Sequence, residues 1–286
     1  MRILTGALSE YYHNEFVQAA EELGIELIFV NPEQINIVFG NPSKIYDNEG
    51  NEIKADGFFL RATNRHYREY ALLVRALISQ GCVMLDPIDR FTGNAPNKML
   101  SSIKRATCGI GVQTLYFTRE FVMNNPSLVP LPLFIKPVDS SQNRGLVRVE
   151  SVRELLPYLS SDYIVQKEIR IKDEYRVLAY NHGEKMDVLG VTHKKTIGLR
   201  GKNEQRKFKI SESTIEKLVN FLYSFDEIRT NTGLFGYDIA KLEDGSYVLI
   251  EANRSPMWER TERIRKVSVA KSILEILKNK INELDS

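Results

Sequence analysis

Apolar residues change their spacing several times along the chain, and each change marks an element. Arg2 to Leu4 is a short apolar run, helical spacing covers about Asn14 to Leu23, and Glu26 to Val30 reads as a strand. After a loop rich in Asn, Pro and Gly, Gly57 to Arg61 is a further strand. Tyr67, Tyr70, Ala71, Val74, Leu77 and Ile78 then recur at helical spacing up to Gly81, and Val83 to Leu85 returns to strand. This βαβ alternation predicts a small parallel sheet with covering helices, ending near Ala95.

Beyond Pro96 the pattern is different. A helix is predicted over Lys98 to Thr107, followed through Gly109 and Gly111 by strands at Leu133 to Val138 and Leu146 to Glu150, with the loop Asp139 to Gly145 between them. Ser151 with Glu154 forms a capping-box pattern for a short helix, and a strand follows at Tyr163 to Gln166. Tyr175 to Tyr180 and Met186 to Thr192 suggest a hairpin. Ser213 with Glu216 suggests a second capping box for a helix bearing Ile215, Leu218, Val219 and Leu222. One long amphipathic helix is predicted from about Arg260, with Ile264, Val267, Ile273, Leu274 and Leu277 on its apolar stripe. The second part is thus α+β and mostly antiparallel.

Composition narrows the class. The 286 residues are 43% hydrophobic and 27% charged, without an apolar run long enough to span a bilayer, so neither disorder nor a membrane span is expected. The first residues turn polar too soon for a signal peptide, which leaves a cytoplasmic location as the default. Cys82 and Cys108 have no metal or disulfide spacing. Net charge is only +2, but Lys194, Lys195, Arg200, Lys202, Arg206, Lys207 and Lys209 stand against the single acid Glu204 in one segment. That segment reads either as a solvated loop or as a docking place for an acidic partner.

The stretch GYDIAKLEDGSYVLIEAN carries the chemistry. Asp244-Gly245 between alternating apolar runs predicts a two-residue hairpin turn, which sets Glu243 opposite Ser246 and, further along, Asp238 opposite Glu251. Asn253 points the same way, and Ala240, Leu242, Tyr247 and Leu249 complete that face. Facing carboxylates about 5 Å apart repel unless a cation lies between them. Two acids and an amide oxygen suit magnesium, a hard ion that keeps open positions for water and phosphate. The alternative is a solvated or lysine-paired carboxylate pair at a strand end.

Lys136 interrupts an apolar strand just before a loop of Ser, Asn and Gly, where its ammonium and the loop N–H groups could receive phosphate. It reads equally as a strand lysine that snorkels to solvent. Lys98 opens a helix, and Arg176 is either a phosphate clamp or a partner of Glu174.

In this order, Lys98, Lys136, QKEI, Glu174, Arg176, Asp238, Glu251-Ala252-Asn253 and Ser255-Pro256, together with Arg61 and Arg65, resemble the ATP-grasp superfamily over nearly the whole chain, and within it the RimK-like carboxylate–amine (amino-acid) ligases. The resemblance implies an α/β and α+β architecture, the ATP-grasp fold, with an N-terminal βαβ (pre-ATP-grasp) domain over 1–95. A central lobe with the phosphate loop over 96–165 and a C-terminal lobe with the metal site over 166–286 would enclose ATP. It implies ATP and two Mg²⁺ ions as cofactors, with Mn²⁺ as an alternative ion. Lys98 and Lys136 would contact the phosphates, and the loop with Ser140, Ser141 and Gly145 would close over them. Gln166, Lys167, Glu168 and Ile169 would line adenine, with Glu174 at the ribose and Arg176 near phosphate. Asp238, Glu251 and Asn253 would hold the metals. Arg200 and Asn203 match an Arg-Ser-Asn element near the γ-phosphate and the acceptor, and Lys194 and Lys195 stand where relatives carry arginines.

The implied reaction joins a carboxylate to an amine through an acyl phosphate, with Arg200, Lys194 or Lys195 steadying the tetrahedral intermediate. The substrates would be small molecules or peptides of acidic character, with no membrane and no nucleic acid as partner, and self-assembly is left open. Two other classes fit the same residues: a small-molecule kinase, and a non-catalytic module that binds nucleotide or nucleic acid. Arg254 and Met257-Trp258 replace smaller residues of the family beside the final signature, where the acceptor is expected.

Overall fold

The computed structural model describes residues 1–6, 9–60, 66–86, 98–138, 145–194, 210–254 and 256–284. Three four-stranded sheets and a small hairpin make up the strand content of these residues.

The first sheet holds β1 (Arg2–Gly6) and β2 (Glu26–Val30), joined by helix α1 (Glu10–Leu23), and, beyond the hairpin β3 (Asn36–Val38) and β4 (Lys44–Tyr46), β5 (Gly57–Phe59), helix α2 (Tyr67–Ser79) and β6 (Val83–Met84). Its order is β2-β1-β5-β6, all parallel, as the βαβ alternation predicts. Ile3 and Phe59 face one core while Leu4 and Phe58 face another, so adjacent residues are both buried, as parallel strands covered on two faces require.

The central sheet follows α3 (Lys98–Thr107). It comprises β7 (Thr114–Leu115), β8 (Leu133–Pro137), β9 (Val147–Val149) and β10 (Tyr163–Lys167), in the order β7-β10-β8-β9, with α4 (Arg119–Asn124) and α5 (Val152–Leu155). Leu133, Ile135, Val149 and Val165 pack on one side with Val122 of α4 and Leu155 of α5. Phe134, Lys136, Ile164 and Gln166 alternate with them and turn to the other side. Ser151 caps α5 as predicted, although the Glu154 carboxylate returns to the N–H of Glu150 rather than to that of Ser151.

The third sheet is antiparallel, β12-β11-β13-β14, formed by β11 (Ile171–Asn181), β12 (Met186–Lys194), β13 (Gly233–Leu242) and β14 (Tyr247–Asn253). Val177, Val191, Phe235, Tyr237, Ile239 and Leu249 pack beneath helices α6 (Glu212–Tyr223) and α7 (Asp226–Thr230). On the opposite face, Leu178, Tyr180 and Leu234 join Ile3, Phe16, Phe59 and Trp258 in a core shared with the first sheet.

Two expectations are corrected here. The cap of α6 is Ser211, whose oxygen accepts from the N–H of Thr214 at 3.3 Å, two residues before the predicted Ser213. The long C-terminal helix is two helices, α8 (Glu259–Arg265) and α9 (Val269–Leu284). Lys266 takes a left-handed conformation with φ 53°, and the Glu262 carboxylate accepts from the N–H of Val269 at 2.6 Å, which ends one helix and starts the next. Helix α9 then packs along α1 and returns the end of the chain to the first sheet. Among the described residues no helix is long and apolar enough to cross a membrane.

Candidate functional site

The register of the third sheet lines up charged residues on three neighbouring strands. Arg176 on β11 is opposite Asp238 on β13, and Asp238 is opposite Glu251 on β14. Thr192 extends the row on β12, while Gly236 and Asn253 form the adjacent pair. The expected facing of Asp238 and Glu251 is therefore present, but the route to it differs. The turn is one residue longer: the N–H of Gly245 donates to the Leu242 carbonyl at 3.0 Å and the N–H of Leu242 donates to Ser246 at 2.8 Å. Gly245 sits at φ 90°, the form of a three-residue loop closed by a glycine bulge. A register shift between Asp238 and Ile239 then leaves Ile250 unpaired and cancels the offset. Because of that bulge, Tyr247 and Leu249, expected on the carboxylate face, pack instead with Ile239 on the helix-covered side.

Arg176, expected as a phosphate clamp or a partner of Glu174, pairs with Asp238. Its Nη1 donates to both oxygens of Asp238, each at 3.1 Å. Glu174 instead lies opposite Ala240 and Lys194 in the register.

Lys136 comes from the central sheet to the same place. Burial pushes its ammonium below the ordinary lysine range, Arg105 of α3 adds to this, and Glu251 and Glu174 oppose it. A lysine of one sheet is thus within electrostatic range of two acids of another, although 115 residues separate Lys136 from Glu251. Arg105 was not apparent from the sequence, where a cation in a helix's last turn reads as a dipole partner. Lys98 opens the same helix about two turns earlier. The chain then bends so that Ile110 accepts from the N–H of Leu249 at 2.7 Å, docking the end of α3 on the edge of β14.

The QKEI stretch closes β10. Gln166 is buried and donates to the Thr114 hydroxyl at 3.2 Å, and the N–H of Lys167 donates to Gln113 at 3.0 Å. Lys167 is exposed, and Ile169 lies past the strand's end. Glu168 accepts from Nε and Nη2 of Arg148 at 2.7 and 3.0 Å, and this pairing holds its carboxyl below the usual range. Gly145 ends the predicted phosphate loop at φ 74°. Ser140, Ser141, Lys195, Arg200 and Asn203 lie outside the described residues, and Lys194 is the last residue of β12.

Of the residues that suggested an unusual acceptor site, Trp258 is core: it is 1% exposed and its ring lies 4.6 Å from that of Tyr12. Arg254 turns to the helix-covered side, over Phe235 at 5.7 Å and onto Asn231 at 3.3 Å. Met257 is exposed.

Among the described residues no group of three His, Cys, Asp or Glu side chains forms a metal cage. The set on offer is two carboxylates and one amide, and the side chains of Glu251 and Asn253 make no hydrogen bond among the described residues. Such oxygen donors, with a lysine alongside, fit a hard divalent ion that brings phosphate and water as its remaining ligands. Asp238 offers the same oxygens to Arg176, so an ion there competes with the guanidinium.

Neither protein-family models nor curated protein sequences match this chain. Solved structures do match. The ATP-grasp ligase PsnB, complexed with a phosphomimetic variant of its minimal precursor, Mg and ADP, is similar over 98% of both chains with a TM-score of 0.70 and 16% identity. A RimK domain ATP-grasp protein from Sphaerobacter thermophilus is similar over 97% of this chain and 99% of its own, with a TM-score of 0.60 and 17% identity. D-alanyl-alanine synthetase A from Vibrio cholerae is similar over 98% of both chains, with a TM-score of 0.63 and 12% identity.

Proposed function

Proceeding from the ATP-grasp fold that this chain has, we propose that it is an ATP-dependent carboxylate–amine ligase that releases ADP and phosphate. The observation that carries this reading is the convergence of Lys136 with the Arg176–Asp238–Glu251 row. A triphosphate and a substrate carboxylate repel each other, and a site that joins them needs cations and metal-ligating oxygens at one point.

In this reading Asp238, Glu251 and Asn253 hold magnesium, which when bound neutralises the triphosphate. Lys136 and Lys98 orient the phosphates, and the segment with Ser140, Ser141 and Gly145 covers them and excludes water. Gln166, Lys167, Glu168 and Ile169 contact adenine, and Glu174 contacts the ribose. An oxygen of the substrate carboxylate attacks the γ-phosphorus as the bond to the ADP oxygen breaks. The amine nitrogen then attacks the acyl carbon, loses a proton, and phosphate leaves. Arg200, Lys194, Lys195 and Asn203 stabilise the charge that develops on the acyl oxygen.

PsnB binds a precursor peptide, and the excess of lysine and arginine between residues 194 and 209 suits an acidic peptide or polycarboxylate here as well. An ATP- and magnesium-dependent reaction of this kind belongs in the cytoplasm.

The test is a screen of amino acids and acidic peptides with ATP, Mg²⁺ and hydroxylamine, with Glu251→Ala as the blank. The expected result is ADP together with a hydroxamate in the wild type and neither in the variant. ADP with a stable phosphorylated product and no hydroxamate would make the protein a kinase. No ATP turnover under any condition would remove the enzymatic reading.

A further inference from the structure

Beside the proposed metal ligands stands Arg176, expected near phosphate but paired here with an acid. Arg176 donates from Nη1 to both oxygens of Asp238 at 3.1 Å, while its Nε is buried and has no hydrogen-bond partner among the described residues. Gly236 makes room for this position and for Pro256, because a Cβ there would lie 2.7 Å from Cβ of Pro256, 3.1 Å from Nη2 and 3.2 Å from Nε. The guanidinium thus packs against a glycine, with one donor idle, beside a carboxylate that faces Glu251.

Facing carboxylates need a positive charge whether or not a metal is present. Resting on the proposed magnesium site, we propose that Arg176 is a built-in counter-cation. It neutralises Asp238 while the divalent ion is absent and yields that carboxylate when the ion arrives with nucleotide. The Nε–Nη2 edge, whose Nε is idle, then takes a phosphate oxygen, an acceptor that matches the guanidinium fork as well as a carboxylate does. Metal alone must displace the arginine and leave its donors without a partner. Metal with nucleotide displaces it and supplies one. The consequence is reciprocal coupling: nucleotide tightens metal binding, and metal tightens nucleotide binding by the same factor.

The experiment is Mn²⁺ titration by electron paramagnetic resonance, with and without ADP, of the wild type, Arg176→Lys, Gly236→Ala and Arg176→Gln. Arg176→Lys keeps the charge but loses the planar head group with its Nε–Nη2 edge. Gly236→Ala keeps the arginine and crowds its seat, pressing on Pro256 as well. Both are expected to bind Mn²⁺ alone about tenfold more tightly than the wild type and to lose most of the enhancement by ADP. Tightening confined to Arg176→Gln would show that net charge alone matters and would overturn the proposal. Equal affinities in all four proteins would overturn it as well. Melting curves establish which variants are folded, and if Gly236→Ala is not, Arg176→Lys decides alone. A wild type that binds no Mn²⁺ even with ADP removes the metal site and the counter-cation together. A wild type that binds it, with variants that do not shift, removes only the counter-cation.

Discussion

Tyr11 donates its phenol hydrogen to the buried carboxylate of Glu262 at 2.6 Å and so ties helix α1 to helix α8. The other oxygen of Glu262 accepts from the N–H groups of Val269 and Ala270 at 2.6 and 3.4 Å, closing the start of α9. Burial raises the carboxyl pKa above its ordinary value of 4.5, against the hydrogen bonds from Tyr11 and Val269. The folded protein therefore holds this proton more tightly than the unfolded chain does. Its contribution to stability is complete below about 4.5 and is lost as pH rises through the raised folded value. Glu262→Gln is expected to gain on the wild type across that window as pH rises. Glu262→Ala, which leaves the Tyr11 hydroxyl and the helix start without an acceptor, costs about 1–3 kcal/mol at neutral pH. Denaturant unfolding at several pH values checks both.

Lys136 is held below the ordinary lysine range mainly by burial, so its charge is a cost to the fold that Glu251 and Glu174 only partly offset. Lys136→Met is expected to raise stability by about 1 kcal/mol, or the melting temperature by about 2–4 °C, while lowering ATP turnover on the order of 100-fold. Calorimetry and an ADP-release assay on the same preparation measure the two effects. A variant that is both less stable and fully active would contradict the assignment.

Much of this arrangement was legible because the informative segments are long and periodic. The parallel first sheet, α3 and the β11–β12 hairpin follow from spacing alone. The facing of Asp238 and Glu251 survives because two departures from the predicted hairpin cancel, a turn one residue longer and a bulge at Ile250. The break between α8 and α9 was hidden because Glu262 looks like a surface acid on an amphipathic helix, whereas its role is to cap the next helix from inside the core. The Arg176–Asp238 pair joins positions 62 apart in sequence, and local pattern carries no information on which strands become neighbours. Strand β7, of two residues, is too short to show a period.

Arg148 and Glu168 fix the end of β10 to β9 through paired bonds at 2.7 and 3.0 Å. Hydrogen bonding from Arg148 lowers the Glu168 pKa from 4.5, so the pair stabilises the fold above the unfolded value and loses that contribution as pH falls through the lowered one. Arg148→Met is expected to lower stability at neutral pH, a difference that vanishes in acid, and to raise KM for ATP several-fold with little change in kcat. Unfolding curves at pH 7 and pH 3, with steady-state kinetics, test this. A change in kcat at constant KM would remove Arg148 and Glu168 from the nucleotide end of the site.

The most direct measurement is a crystal structure of the protein with Mn²⁺ and a non-hydrolysable ATP analogue, with the metal located by its anomalous signal. The expected result is a peak between Asp238 and Glu251, within about 2.0–2.3 Å of an oxygen of Glu251 and of Asn253, with phosphate oxygens completing the shell and Lys136 on the triphosphate. An analogue bound elsewhere, or a metal that leaves Glu251 untouched, would contradict it.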